Sequence, residues 1–428
     1  MVEKNWAGNV VFDAARWHRP ETVEEVCGIV RGATRVRAVG TRHSFSSVAD
    51  AGGWPGVAGE LLSLERMTGM AVDRKAMTVT VEAGVRYGEL GRWLAKEGLA
   101  LANMASLPHI NVAGAVATAT HGSGVKNGNL ATAVAGMEVV GPKGSHGTFS
   151  REKHSICDAM IVGLGAFGIV TKLMLKVVPA FEVGQEVFEG LAWGDMEKHI
   201  DVIMSAAYSV SLFTDWKTDA INQVWVKRAG EEIKRCGASE FYGAKAAAAD
   251  VHPIAGISAE NCTPQMGVAG PWHERLPHFR LEYTPSSGEE LQSEYFVPRE
   301  KAVEALRAVR GRGGLREKIV PLLWITEIRT VAADDLWMSM AYERDSVAIH
   351  FTWKPEWERV RDVLPEIEAA LEPFGARPHW GKLFTMGAKQ LERVYPRMGD
   401  FRELVRTMDP GGKFRNAFVD EYIFGLSS

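Results

Sequence analysis

Two stretches of the chain set a histidine among glycine and small hydroxyl residues. The first is Val39-Gly40-Thr41-Arg42-His43-Ser44-Phe45. The second is Val112-Ala113-Gly114-Ala115-Val116-Ala117-Thr118-Ala119-Thr120-His121-Gly122-Ser123-Gly124. Small side chains let backbone N–H groups approach a phosphate closely, and the chain offers that setting twice. Neither stretch has the GxGxxG spacing of dinucleotide sites, and neither contains the phosphate loop GxxxxGK[ST]. For His43 the plainer reading is a tight turn after a strand that needs only Gly40, and the residues alone leave the two readings level.

A second constellation lies far downstream. Glu327 and Arg329 occur in Ile325-Thr326-Glu327-Ile328-Arg329-Thr330, and His350 and Thr352 in Ala348-Ile349-His350-Phe351-Thr352-Trp353. Each pair stands at i, i+2 on a predicted strand, so both members project from one face. Either that sheet face is open to solvent, or it lines a wet pocket in which the four groups satisfy one another. An arginine beside a carboxylate, with a histidine and a threonine on another strand, can hold a hydroxylated substrate through several hydrogen bonds. Lys382 follows His379 and Trp380 in a glycine-containing turn. It is either an ordinary surface lysine or a fixed positive charge near a group that becomes anionic.

The elements that must position these groups are legible in outline. At 428 residues, two domains are expected. Hydrophobic residues make up 46% and charged residues 24%, which is ordinary for a globular protein, and a net charge of −4 gives no footprint for nucleic acid. The four cysteines (Cys27, Cys157, Cys236, Cys262) form no CxxC pair, which argues against a metal cluster and a disulfide scaffold. The start lacks the apolar core of a signal peptide and no run of 18 apolar residues follows, so a cytoplasmic protein without membrane contact is expected.

The first 180 or so residues read as short strands and helices at βα spacing. Val23, Val26, Cys27 and Val30 mark a helical face, Arg35 to Gly40 a strand, Met77 to Ala83 another, and Tyr87, Leu90 and Leu94 a helix ended by Gly98. Met137 to Ser150 predicts a hairpin, and the glycines 163, 165 and 168 predict a turn feeding a strand at 169–175. Beyond about residue 185, long β-type runs such as 210–216 and 292–297 predict a second domain on an antiparallel sheet. A long connection is expected from Cys262 to Pro285. The tail segments 377–382 and 409–414 and a final apolar strand are expected to return to the first domain.

Taken together, the motifs resemble the alditol oxidases of the vanillyl-alcohol-oxidase superfamily of flavoproteins. The resemblance runs nearly end to end. It covers Asn5-Trp6-Ala7-Gly8-Asn9, the two histidine stretches, Asn103-Met104-Ala105-Ser106-Leu107-Pro108-His109-Ile110, residues 209–216 and 327–331, and Asn416-Ala417-Phe418. Its most specific parts are Gly270-Pro271-Trp272-His273-Glu274-Arg275-Leu276-Pro277-His278-Phe279-Arg280 and Arg377-Pro378-His379-Trp380-Gly381-Lys382. One departure is Thr41-Arg42, where the pattern has small residues before the histidine.

The resemblance implies an α+β protein of two domains: an FAD-binding domain over 1–185, a substrate domain over 186–377 built on an antiparallel sheet covered by helices, and a segment 378–428 returning to the first. It implies FAD contacts at Val39, Gly40, Thr41, Arg42, His43, Ser44, Phe45, Ser106, Asn111, Gly114, Ala117, Thr118, His121, Gly168, Ile169 and His379, with His43 covalently joined to the flavin. Ser106, Glu327, Arg329, Thr352 and Lys382 would surround a polyol. Arg329 and His350 would weaken its terminal O–H while hydride leaves, and Lys382 would stabilise negative charge on the reduced ring. No metal is implied. The partners would be a small polyol and dioxygen, acting on a monomer. A sugar-lactone oxidase or dehydrogenase of the same superfamily, and a flavin-free sugar-binding module, are the alternatives.

Overall fold

The computed structural model describes residues 3–52, 59–283, 290–311 and 313–426. The helix Val23–Gly32 starts where the Thr22 side chain accepts from the Glu25 N–H, with two glutamates in its first turn, and it buries Val26 and Val30. The next strand, Val36–Val39, lies parallel to Glu60–Ser63, which in turn lies parallel to Arg16–His18. The βα alternation expected over the first 180 residues is confined to this small sheet. From Met70 onward the chain builds a five-stranded antiparallel sheet in the order Met70–Asp73, Thr78–Glu82, Ile169–Lys176, Val134–Val140, His146–Ser150. The physical reason is connection length: residues 74–77 and 141–145 are too few for a crossover, so both pairs close as hairpins. Entry into Ile169–Lys176 requires glycine at 168, where φ is +139° and a Cβ would fall 2.5 Å from the Val140 carbonyl oxygen.

The second half of the chain carries a ten-stranded sheet. Its central strands follow one another as Glu182–Ala192, Ala220–Ala229, Ser209–Thr214, Leu323–Val331, Ser346–Trp353 and Leu291–Pro298, all antiparallel. Pairing puts Val224, Leu212, Ile328, Ile349 and Tyr295 in one row across the sheet, and Gln223, Phe213, Glu327, His350 and Glu294 in the next. A shift of one residue exchanges the faces, so the first row points one way and the second the other. Helices Trp193–Met204, Ala302–Gly311 and Trp357–Leu371 pack on the apolar side. Tyr295 Oη donates to Glu368 Oε1 of the last of these at 2.9 Å. The polar row is buried as well, which disposes of the solvent-open alternative.

Arg377–Pro378 pairs at the edge of this sheet with Phe296 and Tyr295. The chain then crosses to the first histidine stretch, where Phe45 N–H donates to Gly381 O at 2.8 Å and Ser46 Oγ to Trp380 O at 2.6 Å. Farther on, Val36 N–H donates to Lys413 O, buried Arg37 to Phe414 O, and Asn416 to Asp50 O. The expected final strand is instead a helical turn, Val419–Ile423. Phe418, Val419, Tyr422 and Ile423 recur at i, i+1, i+4, i+5, a helical spacing, and Asn416 Oδ1 accepts from the Val419 N–H. In the connection from Cys262, Cys262 bridges Phe279, and Pro285 lies outside the described residues. Among the described residues no helix is long and apolar enough to cross a membrane.

Candidate active site

A cavity of about 1000 Å³ is lined by the first histidine turn, by segments 105–121 and 160–170, and by the polar face of the large sheet. The turn at Gly40 shows what it can hold. Among the described residues the backbone N–H groups of Thr41, Arg42, His43 and Ser44 donate to nothing, and all four residues line the cavity. Such a run of free amides suits the oxygens of a phosphate. The Thr41-Arg42 departure does no harm to this cradle. Arg42 takes φ +62° and its guanidinium pairs with Glu3, while Thr41 Oγ1 accepts from the Asn111 N–H at 3.1 Å. Thr41 Oγ1 also meets His43 Nδ1 at 3.0 Å, and the imidazole stacks on Trp6 with ring centroids 5.7 Å apart. Burial, with His109, Lys382 and Arg86 nearby, pushes His43 down to about 4, so the ring is neutral at ordinary pH.

Asn111 caps the helix Val112–Ala117 by accepting from Gly114 N–H at 2.7 Å, and its amide donates to Ala83 O. Gly114, Ala117, Thr118, His121 and Gly168 join it on the cavity wall, as do Val39, Phe45, Ser106 and His379. Ile169 does not. Its side chain is buried with Val36, Val140 and Phe414, because alternation along the strand sends Val170 to the cavity and Ile169 to the core.

The polar sheet face brings Glu327, Arg329, His350 and Thr352 together with two residues that the sequence reading passed over, Gln292 and Glu294. Glu294 is 1% exposed, and its Oε1 accepts from Arg329 Nη2 at 2.6 Å and lies 3.1 Å from His121 Nε2. Burial alone would raise its pKa, yet Arg329, His121 and His350 outweigh burial and hold it well below the usual carboxylate range. Glu327 is held low in the same way by Arg329 and His278, the latter bonded to its Oε1 at 2.8 Å. Arg329 Nε lies 3.6 Å from Glu327 Oε2, and Nη1 donates to Ser106 Oγ at 3.4 Å. Against the desolvation that opposes it, these two carboxylates raise the Arg329 pKa.

Lys382 is also at the site. Its ammonium donates to Gln292 Oε1 and sits 5.0 Å from the Phe45 ring centroid. Burial pulls it down to about 8, with Glu294 opposing. Gln292 Oε1 faces His350 Nε2 at 3.1 Å as well. An oxygen that already accepts from an ammonium can only accept, so His350 carries its hydrogen on Nε2. Burial brings His350 down to about 3, leaving a neutral ring whose Nδ1 is buried without a partner among the described residues. Arg329 Nε is likewise without a hydrogen-bond partner. His350 and Arg329 both line the cavity, and each keeps one buried nitrogen without a hydrogen-bond partner among the described residues. Glu294 and Gln292 were findable in the sequence, since they stand at i, i+2 in the predicted strand 292–297, the same signal that exposed Glu327 and Arg329.

Two family models match the chain, an FAD binding domain over residues 14–150 and D-arabinono-1,4-lactone oxidase over residues 288–422. An alditol oxidase of Streptomyces sp. is 48% identical over 423 residues, covering 98% of this chain and 99% of that protein. An L-gulono-1,4-lactone dehydrogenase of Mycobacterium tuberculosis is 28% identical over 437 residues, covering 98% of each. Among solved structures, cholesterol oxidase from B. sterolicum superposes with a TM-score of 0.78 at 15% identity, over 99% of this chain and 96% of that one, a likeness of fold. The free amides at the histidine turn suit the phosphates of FAD, and the end-to-end match at 48% identity settles the family: the chain belongs to the alditol oxidase family of FAD-dependent oxidoreductases.

Proposed function

We propose that the protein oxidises the terminal CH₂OH of an alditol such as xylitol to the aldose, with residues 1–185 and 378–428 holding FAD and 186–377 covering the substrate. The observation that carries this reading is the unpartnered Nδ1 of His350, buried beside the Arg329 charge. FAD, when bound, supplies the hydride acceptor and the reaction with dioxygen that yields hydrogen peroxide. The amides of Thr41–Ser44, with Asn111, Gly114, Thr118 and His121, would hold it, and neutral His43 offers a ring nitrogen for a covalent bond to it.

The chain's own chemistry follows from the site. His350 Nδ1 accepts the hydroxyl hydrogen bond of the terminal CH₂OH while Arg329 holds the same oxygen. A weak base suffices here, because that proton becomes strongly acidic as hydride leaves the carbon. Arg329, fixed by two carboxylates, needs no rearrangement as charge shifts. Glu327, Ser106 and Thr352 bind the remaining hydroxyls and set the reacting carbon in place. Lys382 provides positive charge for the ring end of the site.

The direct test is aerobic turnover. FAD-loaded protein should consume xylitol and oxygen and release hydrogen peroxide, and Arg329→Ala should lower kcat/KM about a thousandfold. Turnover of a sugar lactone but not of xylitol would replace this reading with that of a lactone oxidase or dehydrogenase.

The covalent link has its own check. Wild-type protein run on a denaturing gel should keep a fluorescent flavin band, and His43→Ala should lose it. Flavin released from the denatured wild type would show that His43 only packs against the ring.

Lys382 predicts a pH dependence. The ammonium carries its charge below about 8 and loses it above. Sulfite forms an anionic adduct with flavins, so its affinity should fall as pH rises through about 8, and Lys382→Met should be about tenfold weaker with that step gone. Equal sulfite affinity and an equal pH profile in wild type and Lys382→Met would make Lys382 a bystander.

A further inference from the structure

The segment Gly270–Arg280 contributes no group to the cofactor cradle, yet its His278 reaches the middle of the polar sheet face. Behind it lies Lys227, on strand Ala220–Ala229 and only 1% exposed. Its ammonium donates to the carbonyl oxygens of Leu276 and Pro277 and approaches His278 Nδ1 at 3.1 Å. Burial brings Lys227 down to about 7, and below that pH its ammonium has three hydrogens, which three acceptors meet. His278 Nδ1 is therefore an acceptor, and the single hydrogen of the neutral ring sits on Nε2, which donates to Glu327 Oε1 at 2.8 Å. The imidazole meets Trp225 and Phe213 edge-on, with centroids 5.0 and 5.7 Å away, so the ring is held in this orientation. The backbone of the same residue reaches the other half of the molecule. The N–H groups of His278 and Phe279 both donate to Ser106 O, at 3.0 and 3.3 Å.

We infer that His278, locked by Lys227, is a positioning residue of the polyol site that sets Glu327 and Ser106 at a fixed separation for successive substrate hydroxyls. This rests on the polyol reading above. Glu327 Oε1 is occupied by His278, which leaves Oε2, beside Arg329, as the acceptor for a hydroxyl. Ser106 Oγ is held on the opposite wall by the shared contact with Arg329. Burial pushes His278 down to about 4, which keeps the ring neutral and consistent with the donor geometry. A specificity element of this kind acts on where hydroxyls bind rather than on the bond being broken, so its loss is expected mainly in KM.

The experiment has two independent readouts on the FAD-loaded protein. In protein labelled with ¹⁵N-histidine at pH 6, the His278 signal, identified by its loss in His278→Gln, should be that of a neutral ring protonated on Nε2. In Lys227→Met that fixed tautomer should be lost. With xylitol as the probe, His278→Leu should raise KM about tenfold or more with a smaller change in kcat and unaltered sulfite affinity, and His278→Gln, which keeps an N–H for Glu327, should recover most of the loss. A charged ring or an Nδ1–H tautomer in the wild type would overturn the proposal, as would equal KM values for wild type and His278→Leu. Should the wild type fail to oxidise xylitol, the polyol reading falls, while the tautomer measurement still decides the lock. If His278→Leu does not retain FAD, the comparison of wild type with His278→Gln and Lys227→Met decides.

Discussion

The ion pair between Glu294 and Arg329 is the constraint around which the rest of the site is arranged. Both groups are almost wholly buried, with Arg329 Nη2 2.6 Å from Glu294 Oε1. Removing each ion from water costs several kcal/mol, which their attraction repays only with good geometry and further hydrogen bonds. The structure provides them. Glu294 also meets His121, and Arg329 reaches Glu327 and Ser106. The pair spans strands Leu291–Pro298 and Leu323–Val331, which lie on either side of Ser346–Trp353, so it fixes the two strands that flank His350.

The surrounding histidines take their states chiefly from burial and from the cations beside them. Two carboxylates, Glu294 and Glu327, face two cations, Arg329 and Lys382, so the face that meets the cavity carries little net charge. The imidazoles of His43, His350 and His278 are pushed down by burial and by the cations beside them, and stay neutral. Each neutral ring then has one donor and one acceptor, whose assignment follows from its neighbours. For His350 that assignment leaves a buried nitrogen without a partner among the described residues, and for His278 it supplies a donor to Glu327.

Much of this was legible in the residues. The i, i+2 pairs at 327/329 and 350/352 fall on neighbouring strands with Glu327 directly opposite His350, as same-face projection requires. The glycine-rich turn at 40–45 meets the tail segment 379–382 through Phe45 N–H and Gly381 O. What could not be read was long-range pairing. Nothing local shows that Leu291–Pro298 lies beside Ser346–Trp353, so the i, i+2 spacing of Gln292 and Glu294 marks one strand face without showing that it joins Glu327 and His350. Lys227 likewise gives no local signal, since its three acceptors all come from residues 276–278. The βα spacing misled because hairpin and crossover strands have similar local patterns. The helical spacing of Phe418, Val419, Tyr422 and Ile423 was present in the sequence, though the apolar run there reads as a strand.

The most direct test of this account is steady-state oxidation of xylitol by Glu294→Gln, a change that keeps shape and removes charge. If the buried pair organises the site, the variant retains FAD and its fold, and its kcat/KM falls about a hundredfold, as expected when a buried cation loses its partner. A variant that keeps FAD and matches the wild-type kcat/KM would contradict the account, since Arg329 would then be held well enough without Glu294.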